Sequence, residues 1–154
     1  QPLRAPMSWT PDPAQGGFSR KPLPFRPYAP RMATQNAQSQ AADPDSILNF
    51  YKAMLKLRNE RPSIRRGSFE QAHAEGLVAQ WQRRWSTAAS ASEHTLTVLN
   101  FDIRAGAAQV RGLPPSALLR RLHPAGGPVL RADAQGQLRL ELAAQSLGVW
   151  LVQP

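Results

Sequence analysis

Cysteine is absent from the 154 residues, which excludes disulfides and thiolate zinc sites and leaves the redox compartment open. No apolar run reaches the ~18 residues that a membrane-crossing helix needs, so no membrane partner is expected. Lysine is scarce, at Lys21, Lys52 and Lys56, and the ten acids are outnumbered by nineteen cations. The resulting charge of +9 is unevenly spread, with a net +7 in residues 1–66 and +2 in residues 67–154. Cations occur singly or in pairs such as Arg65–Arg66, Arg83–Arg84 and Arg120–Arg121, without the basic block or signature of a nucleic-acid-binding module. The charge therefore reads as an Arg- and Ala-rich solvated surface, with no nucleic-acid partner. No signal-peptide pattern is present, and a chain opening at Gln1 suggests a processed or excised polypeptide.

What is present divides into three stretches. Residues 1–42 hold eight of the fifteen prolines and one acid, Asp12. They show neither helical nor strand period, so an irregular, extended path with one turn at Gly16–Gly17 is expected. Yet Trp9, Phe18 and Phe25 lie there, side chains that a disordered linker has no reason to carry. An ordered long loop is the better reading, and such loops are usually functional.

Residues 43–61, "DPDSILNFYKAMLKLRNER", predict a helix. Asp43 suits the N-cap, Pro44 the first helical position and Asp45 the positive end of the dipole. Ile47, Phe50, Tyr51, Met54 and Leu55 recur at helical spacing, and Pro62 ends the run.

From about Gly67 the pattern becomes short β segments separated by turn residues, the signature of a small antiparallel sandwich. In "LVAQWQRRW" alternation puts Leu77, Ala79, Trp81, Arg83 and Trp85 on one side, expected to be the inner one, and Val78, Gln80, Gln82 and Arg84 on the other. Asn100, near a strand end, is expected to be a structural hydrogen-bonder. The helix poses a packing problem, because an irregular loop and a β domain cannot cover so wide an apolar face. A packing partner upstream of Gln1 is expected.

The motifs in order are "RAPMSW", "GGFS", "ADPDSILNFYKAMLKLRNERPSIRRGSFE" and "TLTVLNFD". Together they resemble the C-terminal part of α-amylase family (family 13) glycoside hydrolases, of α-glucosidase or α-amylase type. That family's pattern runs Arg-Thr-Pro-Met-Gln-Trp, Gly-Phe-Ser or Gly-Phe-Thr, Asp-Pro, Leu-Asn-Phe-Tyr, Leu-Arg and Gly-x-Phe. Here Ala5 replaces Thr, Ser8 replaces Gln, and Thr10 stands where many members have Asp.

The resemblance implies a mixed architecture. Residues 1–62 would be the loop after strand eight and helix eight (43–61) of a (β/α)₈ barrel, and residues 63–154 an all-β antiparallel sandwich domain. Met7 and Trp9 would anchor the loop at the barrel rim. Arg4 matches an arginine that pairs with an aspartate of an early strand and contacts the sugar, a task suited to a permanently charged fork. The plain alternative is a solvent-exposed arginine. Trp9 likewise could stack on a sugar or pack beneath the loop.

Retaining glycosidases need two carboxyl groups about 5–5.5 Å apart. Asp43, Asp45 and Glu60 are explained by the helix ends, and Glu70, Glu75, Glu93, Asp102, Asp133 and Glu141 by the β segments. His73, His94 and His123 are isolated. No catalytic residue, metal ligand or cofactor site is expected in this chain, although a parent enzyme could hold Ca²⁺ through earlier loops. The implied partner is an α-glucan or maltooligosaccharide, bound mainly by a barrel outside these residues. Alternatives are an α-glucan transglycosylase of trehalose synthase type, or a non-catalytic carbohydrate-binding or structural β module.

Overall fold

The computed structural model describes residues 4–20, 25–88 and 91–154. The irregular path expected for 1–42 falls partly on residues 1–3 and 21–24, which lie outside the described residues, as do Ala89 and Ser90. The chain forms two compact units, residues 1–56 and 57–154, with the division inside a helix.

The first unit is more regular than its prolines suggest. A turn over residues 12–18 is closed by Gly16 N–H to the Asp12 carbonyl at 2.8 Å and Phe18 N–H to the Gln15 carbonyl at 2.9 Å. Gly16 and Gly17 both take positive φ, as the turn requires. A short helix, α1 (Ala37–Ala42), was not foreseen. Its N-cap is Asn36, whose Oδ1 accepts from Ser39 N–H at 2.9 Å.

The next helix, α2, runs Ile47–Glu60. It begins later than the 43–61 expected, because Asp43 closes α1 instead of capping α2. Ser46 takes the capping role, its Oγ accepting from Asn49 N–H at 3.2 Å. The Asp43-Pro44-Asp45 segment forms the corner between the helices, with Asp45 N–H bonded to Asp43 Oδ1. No residue of α2 is buried; Ile47 is 71% exposed.

The second unit opens with α3 (Pro62–Arg66) and continues as eight strands. They are β1 (Glu70–Glu75), β2 (Val78–Ser86), β3 (Ser92–Asn100), β4 (Gly106–Val110), β5 (Leu118–His123), β6 (Leu130–Arg131), β7 (Leu138–Leu142) and β8 (Ser146–Gln153). One sheet has the order β1-β2-β3-β8-β5-β6, the other is the pair β4-β7, and every pairing is antiparallel. Leu96, Val98, Leu119, Trp150 and Val152 of the larger sheet meet Ala108, Val110, Leu140 and Leu142 of the smaller in one core. The expected antiparallel sandwich is present.

The inward side of β2 is the reverse of the one expected. Gln80 and Gln82 are buried, whereas Trp81, Arg83 and Trp85 lie half-buried on the opposite face. The cause is hydrogen bonding. Gln80 Nε2 donates to the Gln109 carbonyl at 2.8 Å, Gln82 Nε2 to that of Arg111 at 2.6 Å, and Arg84 Nη2 to that of Gly112 at 2.7 Å. Strand β4 pairs only with β7, so the main chain along its other side needs partners, and the amides of β2 supply them. On the far face Trp81 packs on Phe69, with ring centroids 5.9 Å apart, and Arg83 Nη2 reaches the Gly67 carbonyl at 2.6 Å.

Candidate functional site

Arg4 is exposed and stands just ahead of a stretch whose main chain is tightly held. The carbonyls of Ser8 and Trp9 accept from Ala37 N–H at 3.0 Å and Gln38 N–H at 2.9 Å. These are the first donors of α1, which have no partner within the helix. Trp9 N–H in turn bonds the Gly16 carbonyl at 2.7 Å. An irregular segment, a glycine turn and a helix start are thereby fastened together by the main chain of Ser8 and Trp9. The indole of Trp9 and the side chain of Met7 remain about half exposed.

Asn36 completes this fastening. It is 1% exposed, and its Nδ2 donates to the Met32 carbonyl at 3.0 Å and to Ser39 Oγ at 2.9 Å. Below it, Met32 is buried, and Tyr28 donates its hydroxyl to the Gln15 carbonyl. A Cβ at Gly16 would lie 2.8 Å from the Tyr28 ring and 3.1 Å from Met32 Sδ. At the α1–α2 corner, Asn49 Nδ2 donates to the carbonyls of Gln40 and Asp43, at 3.0 and 2.7 Å, and Ser46 Oγ to that of Gln40 at 2.6 Å. Asn36, Gln40, Ser46 and Asn49 thus fix the loop. None stood out in the sequence, although an Asn ahead of an Ala/Gln run is a helix-start signal.

Most of the carboxylates have local structural work. Those of Asp12, Asp43, Asp102 and Asp133 accept main-chain N–H groups within turns. Glu93 holds the start of α3, taking Ser63 N–H at 3.0 Å and Ser63 Oγ at 2.7 Å on Oε1 and Arg61 at 3.3 Å on Oε2. Glu70 faces Arg84 at 3.4 Å, and Glu141 faces Arg139 at 2.7 Å. Among the described residues no group of three or more His, Asp or Glu could hold a metal ion.

His94 is the most perturbed titratable group. Burial, with the Arg84 cation adding to it, lowers its pKa to about 4 against a smaller upward pull from Glu70. Its Nε2 lies 2.8 Å from Gln82 Oε1. Since Gln82 Nε2 already donates to Arg111, the amide oxygen accepts here and the neutral imidazole carries its proton on Nε2. Burial and Arg121 also lower the pKa of His123. An open cleft of about 920 Å³ passes Arg66, Glu70, Arg84, Trp85 and His94. Asn100 is the hydrogen-bonder expected: Nδ2 donates to the carbonyls of Arg104 at 2.8 Å and Ala143 at 2.9 Å.

Residues 1–67 match the family model described as Alpha amylase, catalytic domain. Residues 1–67 are thus similar to the end of the α-amylase family's catalytic domain. Over 67 residues the chain is 37% identical to an α-glucosidase of Pediococcus pentosaceus and 33% identical to a probable oligo-1,6-glucosidase 2 of Bacillus subtilis (strain 168). Each match covers 44% of this chain and 12% of the relative. In three dimensions 97% of the chain superposes on trehalulose synthase MutB of Pseudomonas mesoacidophila MX-45, with a TM-score of 0.71 and 25% identity, over 25% of that chain. An isomaltulose synthase of Erwinia rhapontici NX5 is similar in fold, with a TM-score of 0.68 and 21% identity.

The similarity in fold gives the elements their places. The loop and α2 are the last loop and helix of a (β/α)₈ barrel, and the strands are the C-terminal β-sandwich. Among the described helices none is long and apolar enough to cross a membrane.

Proposed function

We propose that this chain is the C-terminal part of a retaining glycoside hydrolase acting on α-glucosidic bonds of maltooligosaccharides or α-glucans, and that alone it is inactive. The carrying observation is the assignment of its carboxylates: those of Glu70, Glu93, Asp102 and Asp133 are already engaged in ion pairs, helix starts and turns. The nucleophile and the acid/base would come from barrel strands outside residues 1–154, consistent with a chain spanning 12% of its curated relatives and 25% of its structural ones. Exposed Arg4, at the lip of the fastened loop, would contribute a bidentate contact to a barrel carboxylate and a donor to the sugar. No metal or cofactor would be held by these residues.

One of the solved structures matched over nearly the whole chain is a trehalulose synthase bound to its substrate sucrose, which favours transglycosylation as a second reading. One experiment addresses both. The complete open reading frame, expressed as one polypeptide, is assayed on p-nitrophenyl α-glucoside, maltose, isomaltose and sucrose beside residues 1–154 alone. Release of glucose by the former and silence of the latter support hydrolysis; a rearranged disaccharide supports the second reading. Turnover by residues 1–154 alone would refute the first.

A further inference from the structure

A smaller cavity, of about 340 Å³, opens beside β1, β2 and β4 of the β-sandwich, within the range of about 300–1,000 Å³ typical of small-molecule sites. Its wall is rich in amides: Gln71, Gln80, Gln82 and Gln109 line it, with His73, Glu75 and Arg111 around them. Three features set it apart from ordinary surface.

The first is an unmet acceptor. Gln80 is only 7% exposed and its Nε2 is committed to the Gln109 carbonyl, which fixes the amide orientation. Its Oε1 is buried with no hydrogen-bond partner among the described residues. Such an oxygen costs free energy unless a donor reaches it. The second is backbone strain. Gln71 takes φ +49°, unusual for a residue with a side chain, where the β1–β2 register is interrupted between Glu70 and His73. Bulges of this kind re-aim side chains and cluster near binding sites. The third is charge. One carboxylate and one guanidinium line the cavity, so its lining favours neither an anion nor a cation.

We propose that this cavity binds a neutral polyhydroxylated ligand, a saccharide of one or two rings, with a ring hydroxyl donating to Gln80 Oε1. Gln82 is committed at both ends, to Arg111 and His94, so beside Gln80 Oε1 the amides of Gln71 and Gln109 would supply the donors and acceptors that vicinal hydroxyls need. Choosing a saccharide among polyols rests on the enzymatic reading above; the cavity chemistry does not. The site lies in the C-terminal domain and adds a binding function to it without adding catalysis.

The test is a titration of ¹⁵N-labelled residues 1–154 with maltose and with glucose. Saturable millimolar shifts confined to residues 71–82 and 109–111 are expected. Gln80→Met, which keeps the volume and removes the acceptor, should weaken binding about tenfold. Because Gln80→Met also removes the Nε2 donor to the Gln109 carbonyl, its folded spectrum, unchanged away from the cavity, provides the control for folding. Absence of shifts, or shifts that Gln80→Met leaves unchanged, would overturn the proposal and leave a water molecule as the donor. The readout is binding alone, so a negative result here leaves the hydrolase reading to its own assay.

Discussion

The indole of Trp150 lies against the α-carbon of Gly148, two residues earlier on the same face of β8: a Cβ at 148 would fall 2.1 Å from Cη2 of the ring. The guanidinium of Arg121 sits 5.3 Å from the ring centroid. Trp150 is thus held flat between a cation and bare main chain. Gly148→Ala should force the ring out of place and cost about 1–3 kcal/mol, the usual range for overpacking. Urea denaturation with a shifted midpoint and unchanged slope would verify it.

Glu93 bridges helix and sheet. Ser63 is fully buried; its N–H and its Oγ–H both donate to Glu93 Oε1, and its Oγ also lies 3.0 Å from Thr95 Oγ1. Glu93→Ala should cost about 1–3 kcal/mol, since buried donors lose their acceptor. Glu93→Gln retains an acceptor for Ser63 and loses the ion pair and hydrogen bond to the partly exposed Arg61, so its cost should be smaller. Chemical denaturation of the two variants side by side measures the difference.

These two residues also mark how far the sequence could be read. The strands at β3, β4, β5, β7 and β8 were legible because apolar alternation is strong there, as in Leu138, Leu140 and Leu142. β1 was not, since "EQAHAE" has no apolar face and is held in place by pairing with β2. The inward face of β2 was misread because two tryptophans outweighed two glutamines on any hydrophobicity argument. The glutamines face inward because β4 lacks strand partners on one side, and that depends on topology. In the loop, proline content hid α1, whose first donors are met by the carbonyls of Ser8 and Trp9 far upstream. Arg4 was found by motif alone, and no local pattern points to the Gln80 cavity.

Stability should depend on pH through His94. Its folded pKa, about 4, lies below the ordinary 6.5, so the unfolded chain takes up the proton first. The stabilisation is complete above pH ~6.5, declines as the pH falls toward ~4, and is lost below that. The ring is partly exposed, so solvent screening limits the effect to about 1–2 kcal/mol. His94→Gln should flatten this slope in denaturation curves taken between those pH values. An unchanged slope would place its origin elsewhere.

Asn36 should matter most to the loop. Its side chain caps α1 and holds the Met32 carbonyl at the same time. Asn36→Ala should cost about 1–2 kcal/mol locally, the upper range for a lost N-cap. Limited proteolysis is the sensitive readout: cleavage within residues 25–42 should accelerate while the β-sandwich stays intact.

The last expectation concerns α2. Ile47, Tyr51 and Leu55 lie one helical turn apart in a single row, and all three are more than half exposed. Phe50 and Met54 flank that row at helical spacing. An apolar stripe of this length favours association. Purified residues 1–154 should therefore self-associate in sedimentation experiments. Replacing Ile47, Tyr51 and Leu55 by Gln should restore a monomer, since Gln is a good helix former. A polypeptide of residues 57–154 should be monomeric and melt in one sharp transition, because its strands pair among themselves and it keeps Arg61 and Ser63 for Glu93. A start at Ser63 would sever the Arg61 contact and should melt lower. If residues 1–154 instead stay monomeric and the triple substitution changes nothing, the stripe is covered within the chain, and the argument that it awaits barrel strands fails.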